Sequence, residues 1–275
     1  MISLKFKAYG KINPFLYVGK KREDGFHDVV TVMQKASVYD TVILRETEEK
    51  GIRIISDNSA VPTDSNNLIY RAIAELHKAI GRPIETLETG YTIHIEKRIP
   101  VAGGMGGGSA DAGYVLKHLN EALGKPLDRE QLREVAAAIG SDVPFFVYDG
   151  NAMLATGRGE ILTECPQFPD CRMEFVSCGK KPSTGAMFNA LDREREKHSA
   201  DFSEPDVTKI INALERGNLQ DICKNLFNSF ERVFRAQNAE YEENFLKIKA
   251  EFIQKGAIGV LLCGSGPTVC GIFEK

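Results

Sequence analysis

From Pro100 to Ala112 the chain reads Pro-Val-Ala-Gly-Gly-Met-Gly-Gly-Gly-Ser-Ala-Asp-Ala, with five glycines in the six positions Gly103–Gly108. Without Cβ atoms in the way, backbone N–H groups can close on an anion, so the stretch is expected to bind phosphate. Tyr91–Glu96 alternates in polarity as a strand does. Val115, Leu116, Leu119 and Leu123 recur at helical spacing, so a helix is expected from about Ala110. A helix N-terminus following the loop adds unpaired N–H groups and partial positive charge. A flexible turn that is merely glycine-rich is the competing reading.

Common nucleotide loops do not fit. A P-loop needs Lys after its last glycine; Gly103 and Gly108 have the spacing, but Ser109 stands where Lys should be. The dinucleotide fingerprint needs glycines at i, i+2 and i+5; starting at Gly104, the third is again Ser109. The protein-kinase signatures H-R-D and D-F-G are absent. What remains is Pro-x-x-x-Gly-x-Gly-x-x-Ser, carried by Pro100, Gly104, Gly106 and Ser109.

Other residues could do chemistry nearby. Alternation puts Lys11 and Asn13 on one face of a strand; a solvent-exposed edge pair would look the same. Asp142 precedes Val-Pro-Phe-Phe, which suits a site acid and equally a helix N-cap. Arg22–His27 carries an Asp-Gly turn followed by Phe26 and His27, a hairpin signal by itself. Gly264-Ser265-Gly266 reads as a turn between two strands.

These residues need elements to hold them. Strands are expected at Ser3–Ala8, Ile12–Val18, Val29–Val38, Thr41–Glu46 and Ile52–Ser56. A helix follows from Asn66-Asn67-Leu68 to about Ile80, and another from Asp128, where Gln131 completes a capping box, to Gly140. Asn151–Cys165 reads as a crossover, Cys171–Ser177 as a strand, Thr184–Leu191 as a short helix and charged Asp192–Asp206 as a solvated loop. Helices at Asp206–Arg216, Leu219–Asn225 and Ala239–Gln254 lead to final strands at Gly259–Leu262 and Thr268–Phe273. Strands and helices without strict alternation give an α+β fold class.

Composition narrows the function. Of 275 residues, 43% are hydrophobic and 27% charged, and the net charge is −3, which argues against a general nucleic-acid binder. No apolar run is long enough for a membrane span, and the N-terminus lacks a signal-peptide core, so a cytoplasmic location is expected. The six cysteines form no C-x-x-C pair and read as reduced, mostly buried thiols. His77, His94, His118 and His198 show no metal pattern and read as ordinary surface or interface side chains.

Taken in order, the motifs are Lys11-Ile12-Asn13, Arg22–His27, Asn67-Leu68, Lys97-Arg98-Ile99-Pro100 with its glycine loop, Ser141–Phe146, Gly157–Glu160 and Gly264–Thr268. The series resembles the GHMP kinase family along nearly the whole chain, and within it the member of the non-mevalonate isoprenoid route. The resemblance implies a two-domain fold: a ribosomal-S5-domain-2-like, ATP-binding part over 1–160, an α/β sandwich over 161–275, and an active site in the cleft between domains. It implies ATP-dependent phosphorylation of the 2-hydroxyl of 4-diphosphocytidyl-2-C-methyl-D-erythritol, with Mg²⁺ bridging the phosphates through ligands left unassigned. Asp142 matches the general base and Lys11 its partner. Asn13 matches a substrate contact, Phe26 and His27 the cytosine pair, and Thr184 a contact from the second domain. Asn67, Leu68 and Lys97 match adenine-side positions, and Pro100 with Gly103, Gly104, Met105, Gly106, Gly107, Gly108 and Ser109 the phosphate wrap. Met105, Ala110, Gly113 and Phe26 depart from the family's usual Leu, Ser, Ala and Tyr. A monomer or homodimer acting on a small cytidine diphosphate compound, with no nucleic-acid or membrane partner, is expected. Another small-molecule GHMP kinase, or a GHMP-fold binding protein without catalysis, is the alternative.

Overall fold

The computed structural model describes residues 1–180, 183–197 and 204–275. Two long strands open the chain, β1 (Ser3–Lys21) and β2 (His27–Thr47), joined by the tight turn around Gly25. Each merges two segments that the sequence reads separately. The break expected near Asp40 is absent because this fully buried carboxylate is hydrogen-bonded in place within the strand.

The backbone divides into two compact units. The first takes residues 1–10, 38–101 and 106–149; the second takes 11–37, 102–105 and 150–275. The first holds the start of β1, the end of β2, β3 (Gly51–Ser56), α1 (Leu68–Ala79), a short 3-10 turn (Ile84–Thr86), β4 (Gly90–Glu96), α2 (Gly107–Ala122), α3 (Arg129–Ile139) and α4 (Val143–Val147). β4 pairs antiparallel with β2, Thr41 opposite Glu96 and Thr47 opposite Gly90, and parallel with β3. Alternation buries Val42 and Leu44 of β2 and Ile93 and Ile95 of β4, while α1 buries Ile69, Ile73 and Leu76. His77 is buried too, its Nε2 hydrogen-bonded to Tyr91 Oη at 2.9 Å, which corrects its reading as a surface or interface residue. Burial pushes its imidazole below the ordinary pKa. Asp128 caps α3 in the expected capping box with Gln131.

The second unit holds the rest of β1 and β2, then β5 (Ala152–Thr156), β6 (Ile161–Glu164), β7 (Arg172–Ser177), α5 (Thr184–Lys197), α6 (Thr208–Glu215), α7 (Leu219–Lys224), β8 (Phe227–Asn228), α8 (Ser229–Arg235), α9 (Ala239–Gln254), β9 (Gly259–Leu262) and β10 (Thr268–Phe273). The expected crossover is a hairpin: β5 pairs with Thr31–Gln34 of β2 and with β6. β10 lies between β7 and β9 in an antiparallel sheet. Leu16, Met187, Phe234, Phe245 and Phe273 share one buried cluster, drawing on strands and on α5, α8 and α9.

α5 and α8 also differ from expectation. α5 continues through Asp192 to Lys197, because Asp192 and Arg195 find partners on β1 and β2 instead of facing solvent. α8 is hidden in the sequence by its length, seven residues after a two-residue strand; Asn228 caps it by accepting from Phe230 N. His198 and part of the expected charged loop lie outside the described residues.

Candidate functional site

In the first unit, the chain leaves β4 at Glu96 and reaches the glycine loop through Lys97–Pro100. Asp40 fixes that exit. Its Oδ1 accepts from Arg98 N at 2.5 Å and Ile99 N at 2.8 Å, and its Oδ2 accepts from Lys97 Nζ at 2.5 Å. Lys97 Nζ also donates to Asp111 Oδ2 on α2 at 2.7 Å. One ammonium thus ties the strand before the loop to the helix after it. All three side chains are buried. Burial disfavours the Lys97 charge, but attraction to Asp111 and Asp40 outweighs it and holds the pKa above the ordinary value. Asp111 is pushed up to about 7, first by burial and then by the Asp40 carboxylate, against the pull of Lys97. Its Oδ1 is buried and has no hydrogen-bond partner among the described residues.

Asn67 is the N-cap of α1, accepting from Ile69 N at 2.9 Å and donating to Pro62 O at 2.7 Å. Leu68 opens that helix, and its side chain lies 3.9 Å from where a Cβ on Gly108 would sit. Ser109 is half-buried in the first turn of α2, whereas Ala110 is fully buried. Gly113 explains its departure from alanine: a Cβ there would meet Phe146 Cβ at 2.5 Å. That contact seats α2 against α4, the helix that Asp142 opens. Asp142 holds the N-cap position, half-buried, without making the side-chain cap bond.

In the second unit, Ala102–Met105 forms the loop's first half. Met105 O accepts from Lys11 N at 2.9 Å, and Gly103 O accepts from Thr268 N at 3.3 Å. Gly104 has φ +82°, and a Cβ there would fall 2.0 Å from Cys263 O. The Gly264–Pro267 segment, a mere turn by sequence, is therefore the surface on which this half of the loop rests. Thr184 Oγ1 and the buried Ser265 Oγ approach to 3.5 Å. Lys11 and Asn13 share a face as expected: Lys11 Nζ donates to Asn13 Oδ1 at 2.6 Å. Asn13 Nδ2 donates to Thr31 Oγ1 at 2.9 Å, and Thr31 Oγ1 to Phe15 O at 2.7 Å. Lys11 and Asn13 are buried.

His27 is also buried. Its Nε2 meets Asp192 Oδ1 at 2.8 Å, and its ring lies 4.9 Å from that of Phe188. Phe26 is 54% exposed, with the Arg158 guanidinium 4.8 Å over its ring. The first unit thus holds Asn67, Leu68, Lys97, Pro100, Gly106–Ser109 and Asp142. The second holds Lys11, Asn13, Phe26, His27, Thr184 and Gly103–Met105.

Two family models match the chain: GHMP kinases N terminal domain over residues 67–150, and GHMP kinases C terminal over 210–275. A curated relative from Geobacillus kaustophilus, named 4-diphosphocytidyl-2-C-methyl-D-erythritol kinase, is 40% identical over 98% of this chain and 88% of its own. This chain belongs to the GHMP kinase family. A Caldicellulosiruptor bescii protein of the same name is 37% identical over 98% of this GHMP kinase and 89% of itself. A crystal structure of 4-(cytidine 5'-diphospho)-2C-methyl-D-erythritol kinase superposes with a TM-score of 0.76 at 30% identity, covering 98% of this chain and 90% of that one.

Sequence reasoning missed Thr31, Asp40, Asp111 and Asp192. Asp40 gave a signal, an acid inside an apolar alternating run. Asp192 gave one too, four residues after Phe188 and so on the same helical face. Among the described residues, no three His, Cys, Asp or Glu side chains gather to hold a metal ion, and no helix is long and apolar enough to cross a membrane. The loop offers the Ser109 hydroxyl and backbone N–H groups. That donor set suits Mg²⁺ bound chiefly through phosphate oxygens and water.

Proposed function

We infer that this kinase transfers the γ-phosphoryl group of ATP to the 2-hydroxyl of 4-diphosphocytidyl-2-C-methyl-D-erythritol, in the non-mevalonate route to isoprenoid precursors. The observation that carries the reading is Lys11, whose backbone N–H is bonded to the glycine loop at Met105 O while its Nζ is held by Asn13. A buried cation fixed to a phosphate loop serves phosphoryl transfer. The shared name of the full-length relatives supplies the acceptor.

In the proposed reaction, Asp142 takes the proton of the 2-hydroxyl. The oxygen attacks the γ-phosphorus, the bond to the β–γ bridging oxygen breaks, and ADP leaves. Lys11 stabilises charge on the transferring group, and Asn13 orients Lys11 and substrate. Gly103–Ser109 wrap the phosphates with backbone N–H groups, and Asn67 and Leu68 border the adenine. Lys97 contributes by holding the loop's two flanks together. Ser109 is the loop hydroxyl that would help hold Mg²⁺, which when bound would neutralise charge on the phosphate oxygens. Phe26 and His27 receive the cytosine, and Thr184 contacts the substrate's remainder. The six cysteines are free thiols, in keeping with a reducing cytoplasm; burial pushes Cys263 up to about 12, away from reactivity.

The test is ADP release with Mg-ATP and four acceptors: 4-diphosphocytidyl-2-C-methyl-D-erythritol, mevalonate, homoserine and galactose. Turnover with the cytidine compound alone is expected. Turnover with another acceptor would replace the substrate, and ATP binding without turnover on any would replace the enzyme with a binding protein.

A further inference from the structure

How the site chooses its base is a separate matter, which rests on the proposed function placing a cytosine at Phe26 and His27. His27 leaves the turn between the two long strands and is buried. Its ring is fixed from a distant part of the chain, α5. Phe188 and Asp192 are four residues apart on that helix and share one face. Phe188 sets its ring 4.9 Å from the imidazole, and Asp192 Oδ1 meets Nε2 at 2.8 Å. Phe188 is itself braced edge-on by Phe230, at 4.9 Å and 87°. Arg195, three residues after Asp192, donates to Val18 O at 2.5 Å and Gly19 O at 2.7 Å, anchoring the helix to the end of β1. The ring has little freedom to turn over.

An ionised carboxylate only accepts hydrogen bonds, so Nε2 must carry the proton. In the neutral imidazole the other nitrogen, Nδ1, is then an acceptor. Among the described residues Nδ1 makes no hydrogen bond of its own, in contrast to Nε2. The 4-position separates the two common pyrimidines: cytosine carries an amino donor there and uracil a carbonyl acceptor. An acceptor at Nδ1 matches the first and opposes the second.

We propose that Asp192 is the positioning residue for base choice: by accepting from His27 Nε2 it makes Nδ1 an acceptor for the exocyclic amino group of an aminopyrimidine. Asp192 touches neither base nor phosphate and acts through His27.

The experiment compares kcat/KM for the cytidine substrate and its uridine analogue, at pH 8, in the parent enzyme, Asp192→Asn and Asp192→Glu. The parent favours cytidine by ~100-fold or more, as a site left with unmatched polar groups rejects a wrong partner. Asparagine can donate to Nε2 and so reverse the tautomer. Asp192→Asn is therefore expected to narrow the ratio at least about tenfold, with the KM for ATP unchanged, and Asp192→Glu to restore it. A structural role alone would lower both substrates together and leave the ratio intact, which overturns the proposal. A measurement that needs no variant is ¹⁵N–¹H correlation of the His27 ring in the parent. Nδ1 is expected as the unprotonated, pyridine-type nitrogen, and a pyrrole-type Nδ1 overturns the proposal even where Asp192→Asn does not fold. Absence of parental turnover with the cytidine compound would instead strike the functional reading beneath it.

Discussion

The glycine loop and the His27 shelf are built from opposite materials. The loop offers backbone N–H groups, and its shape depends on missing atoms: Gly104 lies where a Cβ would collide with Cys263 O. The shelf depends on side chains, with a ring, a carboxylate and a guanidinium from one helix face steadying one imidazole. A backbone site fails when an atom is added. A side-chain site fails when a charge or a proton is moved. In the proposed reaction, phosphate, the same in every nucleotide, falls to the first kind, and the base, which differs, to the second.

The most severe way to break the contrast is Gly104→Ala. The added methyl and the positive φ require the loop or the Cys263–Gly266 segment to shift. We expect the loss of nearly all turnover and about 3 kcal/mol or more of stability, read by steady-state assay and urea unfolding. An active, equally stable variant would show that the loop is not held by that contact. Asp142→Asn removes the proposed base at little steric cost. Here kcat should fall ~100- to 10,000-fold with ATP affinity preserved, and retained turnover would remove Asp142 from the chemistry.

His27→Ala tests the shelf. Its kcat/KM for the cytidine substrate should drop ~10- to 100-fold while the KM for ATP stays put; equal losses would mean that the shelf and the loop do not act separately. The smallest effect concerns the triad behind the loop. Asp111 binds a proton in the folded state that the unfolded chain has already released, because burial raises its pKa from 3.8 to about 7. Its contribution to stability therefore falls as pH rises through that window. Asparagine does not ionise, so Asp111→Asn should gain on the parent between pH 5 and pH 8. Urea unfolding at both values checks this, and a gap independent of pH would mean that Asp111 does not titrate there.

The same contrast governs what can be read from the sequence. The loop is legible because its chemistry is local: glycines, the preceding strand and the following helix are consecutive, and α2 begins within three residues of its expected start. Lys11 and Asn13 are legible because a strand's period puts them on one face. The shelf is not, because Asp192 meets His27 across 165 positions and its run of charges looks like a solvated loop. Asp40 misleads for a related reason. A buried acid looks like a chain break until its partners, Lys97 and two backbone N–H groups from beyond β4, are in view.

Phosphoryl transfer to one particular hydroxyl is tested most directly by ³¹P NMR of the reaction mixture. The carbon bearing the 2-hydroxyl carries a methyl group and no hydrogen, so a phosphate placed there has no three-bond coupling to a proton. Transfer to that oxygen gives a new phosphomonoester signal, unsplit in the proton-coupled spectrum, growing in step with ADP. A split signal would place the phosphate on a different hydroxyl, and ATP left intact beside the cytidine substrate would contradict the proposed reaction altogether.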